Sequence, residues 1–103
     1  MPVRAVLTTA ANGFADVSRL SLSGYLRLAL LLEHRYRFAR TGRSIHSPGD
    51  EVIYRSFERG PVEVLAGWDW GSEYYLLASS AAADEFLRMF FERHSTDRRK
   101  DDD

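Results

Sequence analysis

The segment from Glu51 to Ala78 constrains what this chain can fold into more than any other part of it. Glu51 to Phe57 (EVIYRSF) alternates in polarity and carries β-branched and aromatic side chains. Arg59-Gly60-Pro61 turns the chain and Val62 to Trp68 (VEVLAGW) runs back. Asp69-Trp70-Gly71-Ser72 turns it again before Glu73 to Ala78 (EYYLLA). Three short β segments joined by two short turns predict an antiparallel meander. Three strands cannot bury an apolar face alone, so helices must cover it.

One such helix follows directly. Ser79 or Ser80 can cap it, Asp84 and Glu85 suit its positive start, and Arg93 and His94 its negative end. Ala83, Phe86, Leu87, Phe90 and His94 recur at the spacing of a buried stripe.

A second helix is read from Leu20 to Phe38, where two templates compete. Leu20, Leu22, Leu26, Leu28, Leu30, Leu32, Tyr36 and Phe38 all fall on even positions, the period of a strand. Composition argues the other way. No Val, Ile or Thr occurs from Ser18 to Arg40, whereas Leu, Ala, Arg and Glu are good helix formers. Ser18 or Ser21 can serve as N-cap, the arginines at 35, 37, 40 and 43 suit the C-terminal end, and Gly42 is placed as the terminating glycine. The segment is taken as helix, with a long strand or hairpin as the alternative. As a helix it should bury Leu22, Leu26, Ala29, Leu30 and Leu32 on one broad face.

Upstream, Val3 to Thr9 reads as an opening strand, and Ala10 to Asp16, with Asn12-Gly13, as a loop. Ser44 to Asp50 is a second loop. The expected architecture is an α+β domain in two layers: an antiparallel meander over about 51–78, packed by a long N-terminal helix and a C-terminal helix. Residues 1–96 form a single domain, and the charged tail 97–103 should be disordered.

With 103 residues, 45% of them hydrophobic, the chain has enough apolar surface for one core. It has no cysteine, which removes disulfides, thiolate nucleophiles and Cys-ligated metals, and fits a cytoplasmic location. Neither a signal peptide nor a membrane span is recognised, since the apolar window Leu26 to Leu32 is interrupted by Arg27.

The net charge of −1 conceals a polarised chain. Residues 1–49 carry seven arginines against Asp16 and Glu33, and residues 50–92 carry three arginines against nine carboxylates. Either the two halves pair with each other, or one meets a charged partner.

Few catalytic chemistries survive inspection. His34, His46 and His94 have no metal-ligand spacing, and neither nucleotide-binding nor hydrolase fingerprints occur, so no metal or cofactor is expected. The most enzyme-like set is His46, Glu51 and Arg55, with Glu58 and Arg59, which could cleave RNA by general acid–base chemistry if its members converged. A nucleic-acid surface is the other alternative, built from Arg35, Arg37, Arg40 and Arg43 with Tyr36 and Phe38 between them. The pI of about 6.3 lies well below that of dedicated nucleic-acid binders.

The run from Gly67 to Leu77 gathers Trp68, Trp70, Tyr74 and Tyr75 with Asp69 and Glu73. Cross-strand packing accounts for part of this density. Exposed aromatics ringed by carboxylates would also anchor a basic partner. The candidate partner-binding residues are therefore Trp68, Asp69, Trp70, Glu73 and Tyr74, with Glu63 and Glu58 beside them. In layout and charge the chain resembles the small immunity proteins of bacterial toxin–immunity systems, including contact-dependent growth inhibition. That resemblance implies a non-enzymatic cytoplasmic protein that occludes a basic, nuclease-type toxin.

Overall fold

A computed structural model describes residues 2–47, 49 and 51–98. Among these residues eight strands form one mixed sheet, and the helices lie against one of its faces. The strands are β1 (Val3–Thr9), β2 (Ala15–Leu20), β3 (Ala39–Thr41), β4 (Ile45–Ser47), β5 (Glu51–Arg59), β6 (Val62–Asp69), β7 (Glu73–Ala78) and β8 (Ser95–Asp97). Their order across the sheet is β3-β5-β6-β7-β2-β1-β8, with β4 also paired to β5. The meander β5-β6-β7 forms as the alternating pattern predicts, and β1 occupies the predicted opening strand.

The sheet is larger than the meander because two segments read as loops contribute strands. β2 begins inside the segment assigned to the Asn12-Gly13 loop, which instead closes a hairpin: Phe14 N–H donates to Asn12 Oδ1 at 2.9 Å, and Gly13 takes φ 88°. Short β3 and β4 flank Gly42, which turns between them at φ 81° and ends no helix. At the other edge β8 runs parallel to β1, so the ordered chain passes through Asp97. The rest of the charged tail, residues 99–103, lies outside the described residues.

The long N-terminal helix is corrected to a shorter one in mid-chain. Helix α1 (Leu22–Leu30) is capped by Ser21, whose Oγ accepts from Gly24 N–H at 3.0 Å. It continues into a π-helical turn, Leu31–Arg35. Arg37, in the left-handed conformation at φ 62°, then reverses the chain while Phe38 N–H bonds the Leu32 carbonyl at 2.9 Å. An arginine thus does what a glycine usually does, at a cost of roughly 1–2 kcal/mol.

The buried face of α1 also differs from expectation. Tyr25, Leu28, Ala29 and Leu32 are buried, whereas Leu22, Leu26 and Leu30 are 53, 50 and 55% exposed. Residues two apart on an α-helix lie about 200° apart. The even-numbered leucines are therefore two stripes of period four on opposite faces, and the apparent strand period is the sum of both.

Helix α2 (Ala81–His94) follows its predicted pattern, with Ser80 Oγ accepting from Ala83 N–H and Ala83, Phe86, Leu87 and Phe90 buried. The core lies between the helices and the inward residues of the sheet, among them Val17, Leu20, Phe57, Val64 and Leu76. No helix among the described residues is long and apolar enough to cross a membrane.

Candidate protein-docking surface

Alternation along the strands sorts the candidate residues onto two faces. On β6, Val64 and Ala66 point into the core, so Trp68 shares their side while Glu63, Leu65, Gly67 and Asp69 take the other. The β6–β7 register Trp68↔Tyr74 and Asp69↔Glu73 extends this division to β7. Tyr74 lies inside, stacked on Tyr25 of α1 with ring centroids 5.4 Å apart, and Tyr54 joins the same cluster. It supports the core and presents no ring beside Asp69. The tyrosine on the helix-free face is its neighbour Tyr75.

Tyr75 sits at the centre of that face. A Cβ built on Gly67, its cross-strand partner, would come within 2.5 Å of Tyr75 Oη and 2.6 Å of the Val52 carbonyl. The phenol ring therefore lies across the space that only glycine leaves open. Burial raises the Tyr75 pKa, and the carboxylates of Asp69, Glu51 and Asp16 raise it further, which places three acids around one ring. Glu51 is the β5 partner of Asp69, and Asp16 the β2 partner of Leu77. Around these lie Ile53, Leu65, Leu77 and Val6, all outside the core cluster between sheet and helices. Ile45 extends the apolar strip by pairing with Ile53.

Asp16 is the most constrained acid. Its Oδ1 is buried without a hydrogen-bond partner, and its pKa is raised by desolvation first and by Asp69 second. Asp69 Oδ1 accepts the Ser72 N–H at 2.6 Å, which fixes the β6–β7 turn. Among the described residues neither Glu51 nor Asp69 has an ion pair, so their charge is available to a partner.

The remaining predicted residues differ in availability. Trp70, 75% exposed at the turn, donates its indole N–H to the Gly49 carbonyl at 2.9 Å and meets Trp68 edge-on at 4.9 Å. Glu73 is held 3.4 Å from Arg98 at φ 56°. Glu63 accepts from the Ser79 hydroxyl at 3.1 Å, while its cross-strand partner Glu58 is exposed. Asp69, Glu63 and Glu58 thus stand on one face with Tyr75, and Trp68 and Tyr74 stand on the other.

The two enzyme and nucleic-acid sets are not assembled. His46 pairs with Val52 and Ser47 with Glu51, so His46 and Glu51 alternate onto opposite faces. Arg55 donates to the Arg40 carbonyl at 2.9 Å, and Arg59 reaches over Phe38 to the Tyr36 carbonyl. Phe38 is buried, and Tyr36 packs on Phe86 and Phe90 with its hydroxyl 2.7 Å from His94 Nε2. Arg40 lies over the Phe57 ring at 4.1 Å and contacts Glu33 of its own half at 3.8 Å. The basic helix therefore covers one face of the sheet, and Glu51, Asp69 and Asp16 occupy the other. No three His, Cys, Asp or Glu among the described residues are grouped as metal ligands.

Comparison with protein-family models, curated proteins and solved structures returns no match.

Proposed function

We propose that the chain is a non-enzymatic protein-binding domain that docks a basic protein on the helix-free face of its sheet. The supporting observation is the position of Tyr75, lying over Gly67 with Glu51, Asp69 and Asp16 around it on a face that no helix covers. An aromatic ring among apolar residues supplies the desolvated anchor, and acids at its margin select a positively charged partner and speed its approach. Trp70 at the adjoining turn extends the contact. The mode of action is occlusion, and the immunity role fits it: a small domain whose acidic face covers a basic toxin surface.

Charge reversal tests this directly. The wild-type chain and a Glu51→Arg, Asp69→Arg variant are used side by side as bait in extract of the encoding organism. A basic protein retained by wild type and lost by the variant supports docking at this face. Identical retention by both removes the acids from the interface and overturns the proposal.

A further inference from the structure

Helix α1 is apolar on two opposite sides, and the core covers only one of them. Tyr25, Leu28, Ala29 and Leu32 pack inward, while Leu22, Leu26 and Leu30 stand half-exposed on the outer side. Residues four apart on a helix are surface neighbours, so these leucines form one ridge roughly 12 Å long. Where the ridge meets the π-helical turn, Arg27, Leu30, Leu31, His34 and Arg35 surround an open notch of about 360 Å³. Single exposed leucines are ordinary, but a continuous apolar ridge marks a surface that meets something else.

Charge narrows what that occupant is. Arg35 shares the notch with Leu30, and Arg37 is exposed two residues further on. Among the described residues neither Arg35 nor Arg37 is in an ion pair. Glu33, the one carboxylate between Ser21 and Arg43, lies 3.8 Å from Arg40. Glu51, Asp69 and Asp16 occupy the sheet face away from the helices. The molecule therefore has an apolar, basic side and an acidic side, and the first of these calls for an anionic occupant.

A second copy of the chain does not supply one. Two ridges face to face would oppose like charges, and three half-exposed leucines a side bury well under the roughly 1,000 Å² of a specific interface. A folded protein partner also fits less well. Interface cores favour Tyr, Trp and Met, and leucine is under-represented among the side chains that carry binding energy. The ridge is purely aliphatic. A bilayer interface demands no matching shape: aliphatic side chains enter the acyl boundary while arginines beside them meet anionic headgroups.

From this arrangement we infer that the chain docks on an anionic bilayer surface through the outer side of α1. The helix lies in the plane of the interface, with Leu22, Leu26 and Leu30 at the acyl boundary and Arg35 and Arg37 among the headgroup phosphates. The acidic sheet face then points away from the lipid and stays open to a protein. Three leucines anchor only marginally, so attachment is reversible and depends on the arginines, each worth about fivefold in affinity.

The test is co-sedimentation of the full chain with vesicles of phosphatidylcholine alone or of phosphatidylcholine and phosphatidylglycerol in equal parts. The expected result is binding to the mixed vesicles, little to phosphatidylcholine alone, and release as salt is raised. Leu26→Gln with Leu30→Gln leaves the core untouched and should weaken binding by about tenfold. Arg35→Gln with Arg37→Gly should weaken it by about twentyfold, and glycine accepts the Arg37 backbone at φ 62°. The Glu51→Arg, Asp69→Arg variant should keep its vesicle binding, so this proposal and the docking face fail separately. Absence from the mixed vesicles, equal binding to both kinds, or binding unaffected by the leucine pair would overturn the assignment. A dimer in sedimentation velocity that the leucine pair dissolves would assign the ridge to a second copy instead. Retention of a protein from extract that the leucine pair abolishes, with vesicle binding absent, would assign it to a protein.

Discussion

The ring of Tyr75 lies over the backbone of Gly67, filling the space a side chain at that position would take. This contact fixes a large aromatic ring on the face of the sheet opposite the helices. It also makes Gly67 a packing glycine, since the residue carries no left-handed backbone angle.

Gly67→Ala should therefore destabilise the domain by about 1–3 kcal/mol, the range for overpacking. Part of the clash is with the Val52 carbonyl, which cannot rotate away, so Tyr75→Ala in the same chain should restore only part of the loss. Urea denaturation of the two variants measures both quantities.

Asp16 should make the protein less stable as pH rises from about 3.8. Its folded pKa is raised, so the folded state holds more protons than the unfolded state between 3.8 and that higher value. Stability is lost across this window, and the charged form remains a burden at neutral pH. Asp16→Asn should be more stable than wild type at pH 7 and lack this part of the pH dependence in thermal melts.

His94 should act in a different window. Its folded pKa is lowered, by desolvation first and then by Arg35 and Arg93. The unfolded state therefore binds the proton first as pH falls below about 6.5, and stability drops from there towards the lower folded value. With the ring neutral, Nε2 can accept from the Tyr36 hydroxyl at 2.7 Å. His94→Gln should flatten the stability profile between pH 6.5 and acid conditions.

The two leucine stripes of α1 should separate cleanly in mutagenesis. Leu28→Ala, fully buried, should cost about 2–5 kcal/mol, whereas Leu26→Gln on the exposed stripe should stay within about 0.5 kcal/mol. Chemical denaturation of both variants distinguishes this arrangement from the single broad face that includes Leu26.

Local chemistry made the meander, β1 and α2 legible, because turn residues, alternation and caps all pointed one way there. The region from Leu20 to Phe38 resisted for a physical reason. Leucines on both faces of a short helix mimic a strand, and the helix ends through a π-turn and a left-handed arginine that no residue preference announces. β2 is held between its hairpin neighbour β1 and the distant β7, and β8 pairs with the distant β1; the two long-range pairings are ones that short-range patterns do not record. At the candidate surface, Asp69 and Glu63 were identifiable from composition, but Tyr74 and Tyr75 are adjacent and alternate. Only the packing of Tyr25 on Tyr74 decides which ring faces inward. Glu51 and Asp16 join Tyr75 through strand register, and Gly67 gave a cue, as a glycine within a strand marks a close approach.

The most direct test of the docking face is a methyl NMR titration with the basic protein that the wild-type chain retains. Ile53, Leu65 and Leu77 report the helix-free face, Leu28 and Leu76 the core, and Leu22, Leu26 and Leu30 the outer side of α1. Docking on the acidic sheet face predicts shifts and line broadening at Ile53, Leu65 and Leu77, with the outer leucines of α1 unmoved. Perturbation of Leu22, Leu26 and Leu30 with Ile53, Leu65 and Leu77 unchanged would contradict it.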